Sequence, residues 1–205
     1  IALAERRLGP APVPYCWVVL GSQARLEQGL SSDQDNAMII SDEMRPGDEP
    51  YFAELARRVS DGLAACGYSY CQGDVMATND RWRTTQTTWR RTFERWLRQP
   101  DPDAVLRSSI FFDMRALHGQ IELMDGVRDR VLAATPAATV FLAHMAKQAV
   151  ARRPPIGFFR EFVLEPEGDH TDTLDLKRGG VGAFVDLARV YALTIGSAAV
   201  NTQAR

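Results

Sequence analysis

WVVLGSQARLEQGLSSDQDNAMII, residues 17–40, is the stretch that decides the fold. Its apolar run Trp17-Val18-Val19-Leu20 has the length of a buried strand and stops at Gly21-Ser22. A short polar segment centred on Arg25 and Glu27 leads to Asp33-Gln34-Asp35-Asn36, and a second apolar run, Ala37-Met38-Ile39-Ile40, follows. Alternate side chains of a strand share a face, which places Asp33 and Asp35 on one side, about 7 Å apart along the chain. Two carboxylates that close repel each other and are stable together when a positive charge sits between them. A hard divalent cation with oxygen ligands, Mg²⁺ above all, meets that need and commonly brings a phosphate with it. The Gly21-Ser22 turn suits phosphate oxygens, because glycine lets the backbone approach and Ser22 can donate a hydrogen bond.

Upstream, Ala2 to Leu8 reads as a helix broken by prolines at 10, 12 and 14. Downstream, Ser41 to Pro50 is a charged, proline- and glycine-bearing loop, and Tyr51 to Cys66 carries apolar residues at helical spacing up to Gly67. Tyr68 to Trp82 has no clean period. In Thr87 to Arg98 basic residues are interleaved with Trp89, Phe93 and Trp96, a texture that also occurs on nucleic-acid surfaces. These aromatics fall at i, i+4 and i+7, so one buried helix face with solvated arginines is the expected arrangement. Ser108 to Arg115 is a third strand candidate, with Asp113 inside an apolar run. An aspartate there needs a partner, either Arg115 or another arginine, or a role in a site. Ile121 to Val131 forms a helical stripe, and Thr135-Pro136 is expected to open another helix running to about Arg152. A hairpin over Pro166–Asp169 and a last helix carrying Val185 to Leu193 complete the chain.

At 205 residues, 45% of them hydrophobic and 24% charged, the chain has the composition of a globular protein with a substantial core. A net charge of −2 gives no general attraction to nucleic acid or acidic membranes, and no apolar stretch approaches the roughly 20 residues of a membrane span. Three cysteines without a CxxC pair, Cys16, Cys66 and Cys71, point to a reduced, cytoplasmic setting. Ile1 is no starting methionine and Arg205 follows a helix-like segment without a stop signal, so the chain reads as a piece of a longer protein.

Gly-Ser, ten intervening residues and Asp-x-Asp before a strand resembles the nucleotidyltransferase superfamily that includes DNA polymerase beta. The longer string GSQARLEQGLSSDQDNAMI resembles a narrower branch, nucleotidyltransferases associated with CBS or cyclic-nucleotide-binding modules. That branch is related to the PII uridylyltransferase and the glutamine synthetase adenylyltransferase. Phe111 to Arg115 followed by His118-Gly119 resembles the branch's Phe-Phe-Asp-x-Arg and His-Gly strings, and LDLKRGGVGAFVDLARVYAL resembles the later region of the protein-modifying enzymes.

The resemblance implies an α+β fold: a polymerase beta-like core with a small mixed sheet over residues 1–119, then a mainly helical part over 120–205 whose hairpin closes the cleft. It implies two Mg²⁺ ions held by Asp33, Asp35 and Asp113, which are also the catalytic residues. Gly21, Ser22, Arg25, Asn79 and Lys177 are the implied contacts to the nucleoside triphosphate, and Asp186 an implied structural anchor. The activity implied is transfer of a nucleoside monophosphate from the triphosphate to a hydroxyl, with a regulatory protein as acceptor, in signal transduction. Regulatory domains are expected in the full-length chain, and neither nucleic acid nor membrane is an expected partner. Transfer to RNA or a small molecule, or a catalytically idle nucleotide-sensing domain, are the alternatives.

Overall fold

The computed structural model describes residues 1–29, 32–101, 105, 109–151 and 180–205. The two apolar runs of the 17–40 stretch pair as antiparallel neighbours, β1 (Tyr15–Leu20) and β2 (Asn36–Ile40), with Trp17 opposite Met38 and Val19 opposite Asn36. On the other side of β1 lies antiparallel β4 (Met114–Gly119), its register shifted between Trp17 and Val18. The short β3 (Arg83–Thr85) runs parallel to β2, giving a four-stranded mixed sheet of order β3-β2-β1-β4. Every residue of β1 and β2 is buried, as strands covered on both faces require.

Alternation divides the strand residues between two cores. Tyr15, Trp17, Met38 and Ile40 face α3 (Glu49–Ala65), which packs Phe52, Leu55, Ala56 and Val59 on them, and α1 (Ala2–Leu8), which adds Ala4. Cys16, Val18, Leu20, Ala37, Ile39 and Met114 face the opposite layer. There α4 (Gln86–Arg98) contributes Trp89, Phe93, Trp96 and Leu97, and α5 (Ile121–Ala134) contributes Met124, Val127 and Val131. Helices α6 (Thr139–Ala151) and α7 (Gly182–Thr194) extend that layer with Phe141, Met145 and Leu193. The result is the expected α+β chain, a small mixed sheet followed by helices.

The aromatic stripe of α4 is core: Trp89 is 1% exposed and its indole N–H donates to the Met38 carbonyl at 3.0 Å, while Arg91, Arg95 and Arg98 lie in solvent. A buried indole needs such a partner, and an inward-facing Trp cannot stack on a nucleobase.

Two local expectations change, and a third lies beyond the described residues. Residues expected to begin a strand at Ser108 instead form a 3-10 turn, Ser109–Phe112, so Phe111 and Phe112 both enter the aromatic core. Thr135 is no N-cap: it closes α5, its hydroxyl donates to the Leu132 carbonyl at 3.0 Å, and α6 starts four residues later. The hairpin over Pro166–Asp169, with Lys177, lies outside the described residues.

Candidate functional site

The site lies where β1 ends. Its last residue, Leu20, donates its N–H to the Asp35 carbonyl at 3.0 Å, and Gly21 donates to the Asp113 carbonyl at 3.0 Å. The chain therefore enters the short helix α2 (Gly21–Ala24) between the strand approaching from Asp35 and the one leaving from Asp113. Gly21 has φ +54, the left-handed region that glycine takes freely, and a Cβ there would stand 3.1 Å from Ile110 and 3.4 Å from Asp35 Oδ2. Gly21→Ala is expected to cost about 1–2 kcal/mol for the left-handed backbone. At roughly 2–4 °C per kcal/mol for a chain this size, the unfolding midpoint falls by about 2–8 °C, with the Ile110 side chain giving way to the new methyl. Ser22 beside it is half-buried and reaches solvent.

Asp33 and Asp35 precede the ladder rather than sit inside it, since β2 begins at Asn36 and Gln34 makes an isolated bridge to Tyr70. The alternation still holds. Gln34 and Asn36 point into protein: Gln34 Nε2 donates to the Tyr68 and Ser60 carbonyls at 2.8 and 3.1 Å, and Asn36 Oδ1 accepts from Ala77 N at 2.9 Å. Backbone bonds from Gln34 N to Ser69 O (2.9 Å) and Asn36 N to Val75 O (3.1 Å) complete the seam. The aperiodic loop after α3 is thus stitched along the Asp-x-Asp segment, and it delivers Cys71. One carboxylate oxygen each of Asp33 and Asp35 and the Cys71 sulfur lie within 4.8 Å of one another, all half-buried. Burial pushes the Cys71 thiol up to about 11; the Val75 amide opposes this and the Asp35 carboxylate adds to it. The donor set fits one divalent cation: two hard carboxylates, with a softer sulfur beside them.

Asp113 is not part of that group. It is 0% exposed, and three guanidiniums occupy its carboxylate. Arg189 of α7 places Nε 3.0 Å from Oδ1 and Nη2 2.5 Å from Oδ2; Arg205 Nη1 lies 2.7 Å from Oδ1; Arg25 Nη1 also donates to Oδ2. Burial alone would raise the Asp113 carboxyl, but Arg189, Arg205 and Arg25 together hold it below the ordinary aspartate range. Among the described residues, two of the three cations have a second acid: Arg25 Nε donates to Glu27 at 2.8 Å and Arg189 Nη1 to Asp186 at 2.6 Å. Glu27 in turn accepts from Thr202 N at 2.9 Å, and Asn201 Nδ2 donates to the Arg25 carbonyl at 2.8 Å. The network clamps α7 and the segment after it onto the loop that follows the Gly-Ser turn. Arg115, the nearest arginine in sequence, serves the Gln23 and Ala24 carbonyls instead.

Two other residues of the implied nucleotide site are engaged with protein. Arg25, whose side chain is 12% exposed, is committed to Asp113 and Glu27. Asn79 caps its own turn, accepting from Arg81 N at 3.0 Å and donating to Asp74 at 2.7 Å. Lys177 lies outside the described residues. A cleft of about 590 Å³ opens between α1, α3 and the segment after Ser22, and it meets the acidic group at Asp33. Gln23, Gln28 and Arg58 are among its polar residues, Leu63, Tyr68 and Leu117 among the apolar ones. Among the described residues no helix is long and apolar enough to cross a membrane.

Comparison with curated proteins and with solved structures gives no match. Residues 139–205 match the family described as "Putative nucleotidyltransferase substrate binding domain". Residues 1–103, which carry the Gly-Ser turn, both aspartates and Cys71, match "Putative nucleotidyltransferase DUF294", and the chain belongs to that nucleotidyltransferase family.

Proposed function

We propose that this chain transfers a nucleoside monophosphate from a nucleoside triphosphate to a hydroxyl on an acceptor protein, using a divalent cation, Mg²⁺ in the cell, bound by Asp33 and Asp35. The observation that carries this reading is the meeting of the two carboxylates beside the Gly21-Ser22 turn. Gly21 and Ser22 grip the β- and γ-phosphates, which orients the α-phosphorus for in-line attack. The acceptor hydroxyl releases its proton to solvent as its oxygen forms the new bond to the α-phosphorus, the bond to the bridging oxygen breaks, and pyrophosphate leaves with that electron pair. A divalent cation held by Asp33 and Asp35 would supply charge neutralisation for the attacking and leaving oxygens. Asp33 and Asp35 would hold the cation, and Lys177 adds a phosphate contact on the strength of the resemblance. Arg25, held by Asp113 and Glu27, fixes the turn rather than the triphosphate.

A protein acceptor is supported by the resemblance to the protein-modifying uridylyl- and adenylyltransferases and by the net charge of −2, which offers RNA little. It is further supported by Arg189 and Arg205, which tie the part matching the substrate-binding domain to the loop beside the phosphate turn. The cleft at Asp33 leaves room for a nucleoside or an acceptor side chain.

A thermal-shift panel of the four ribonucleoside triphosphates, each with Mg²⁺, tests the first half. At ligand near 100 times its dissociation constant the native state gains about 2.7 kcal/mol, a rise of roughly 5–11 °C. Incubating the responsive triphosphate, labelled at the α-phosphate, with cell lysate tests the second half. Label on a protein band with pyrophosphate release supports the proposal. Label on RNA or a small molecule moves the acceptor class, and binding without turnover leaves a nucleotide sensor.

A further inference from the structure

We infer that the cleft beside Asp33 is the seat of the nucleoside, its base laid against Tyr68 and met at one edge by Asn36 Nδ2. The inference rests on the nucleotide-transfer reading above. It goes beyond that reading by choosing between the two occupants the cleft has room for and by naming the residues that receive the base.

Four observations lead to it. The first is position. Asp33 lines the cleft and belongs to the acidic pair, so a base joined through its sugar to the α-phosphate lies within reach of it. The volume of about 590 Å³ is within the range of pockets that take small molecules. Among the described residues none of 139–205, the part matching the substrate-binding domain, lines it, which leaves the acceptor a place of its own. The second is a fixed aromatic. Tyr68 N donates to the Leu63 carbonyl at 3.0 Å and its carbonyl accepts from Gln34 Nε2 at 2.8 Å, yet the residue is 44% exposed. Leu63 and Leu117, exposed as well, share the cleft with it, giving the flat apolar surface on which a base stacks. The third is a buried donor. Asn36 is 3% exposed, and its Oδ1 accepts from Ala77 N at 2.9 Å. The amide is planar, so Nδ2 is the donor left for the cleft Asn36 lines, and among the described residues nothing accepts from it. Purine N7 and pyrimidine carbonyl oxygens are acceptors that can meet it. The fourth is Gly62. After proline, glycine is the residue least suited to a helix interior, and Gly62 stands inside α3 without a left-handed backbone to require it. A Cβ there would meet nothing within 4 Å, because the space it would enter is the cleft.

The test measures, by calorimetry on the whole chain, the dissociation constants of two probes, each with Mg²⁺. One is the ribonucleoside triphosphate that stabilises wild type most; the other is inorganic tripolyphosphate, which has the phosphates and no base. Tyr68→Ala is expected to weaken the nucleoside triphosphate about tenfold, the loss of one base–aromatic stack, and to leave tripolyphosphate unchanged. Tyr68→Phe should bind both probes as wild type does. Gly62→Phe fills the cleft from the helix. It should not lower the unfolding midpoint, since phenylalanine suits a helix better than glycine, and it should weaken the nucleoside triphosphate alone. Wild-type affinity for the nucleoside triphosphate in both Tyr68→Ala and Gly62→Phe, or an equal loss of both probes, overturns the inference and leaves the transfer reading standing. Binding of neither probe by wild type overturns the two together.

Discussion

Asp113→Ala will lower the unfolding midpoint of this chain by about 6–20 °C in the absence of any metal or nucleotide. The magnitude follows from removing one partner of a buried ion pair, about 3–5 kcal/mol, at roughly 2–4 °C per kcal/mol for a chain of this size. Arg25 and Arg189 would keep Glu27 and Asp186, but three guanidiniums would then face one another with no anion between them. Arg205 would be left with the Ala199 and Phe112 carbonyls. Arg189→Met should cost a comparable amount, and the double variant less than the sum, since the two side chains share one interaction. The pH dependence has a definite sign. Asp113 titrates lower in the folded chain than in the unfolded one, so the unfolded state takes up its proton first. Its contribution is complete above the ordinary aspartate value of about 3.9 and is lost as pH falls from there through the folded value. The stability gap between wild type and Asp113→Ala should close over that acid range. A metal ligand behaves otherwise: if Asp113→Ala keeps its apo stability and loses Mn²⁺ affinity, the clamp is the wrong account of this residue.

The clamp also marks the limit of what one sequence discloses. Asp113 inside an apolar run announces that it needs a cation, and an arginine partner was one of the two readings that follow. Which arginine was not legible, because Arg25, Arg189 and Arg205 approach from 76 to 92 positions away and only tertiary packing decides among them. Strands β1 and β2 were legible as short continuous apolar runs bounded by polar residues, and helices α3 and α4 because each buries a face whose period is written in its apolar residues. Strand β3 was not: it has three residues, Arg83-Thr84-Thr85, too few for a period, and is held by its neighbour β2. Asp33 and Asp35 could be paired from spacing alone. Cys71 could not be joined to them, for no local motif links a cysteine to carboxylates 36 and 38 residues earlier. The signal was the loop around it, Tyr68 to Trp82, aperiodic and too long for a simple link between elements, which the resemblance places along the nucleotide pocket.

Asp33→Asn and Asp35→Asn should behave in the opposite way to Asp113→Ala, with activity lost and the apo fold untouched. On the proposed function each carboxylate would hold the cation that offsets charge in the transition state, a contribution of several kcal/mol. At about 4 kcal/mol, loss of either side chain lowers pyrophosphate release roughly a thousandfold. The same change removes one of two anions whose oxygens lie within 4.8 Å of each other. At that separation their repulsion is about 1 kcal/mol under water-like screening, and its relief offsets the weakening of the Asp35–Cys71 hydrogen bond, so the metal-free variants should unfold near the wild-type temperature. The stabilisation by triphosphate and Mg²⁺ should vanish with the activity, because both pass through the same ion. The measurement is therefore two-sided: midpoints without ligand, and turnover with the triphosphate that stabilises wild type most. A variant that unfolds many degrees early while turning over at the wild-type rate would mean that Asp33 and Asp35 serve the fold, as Asp113 does, and that the cation site lies elsewhere.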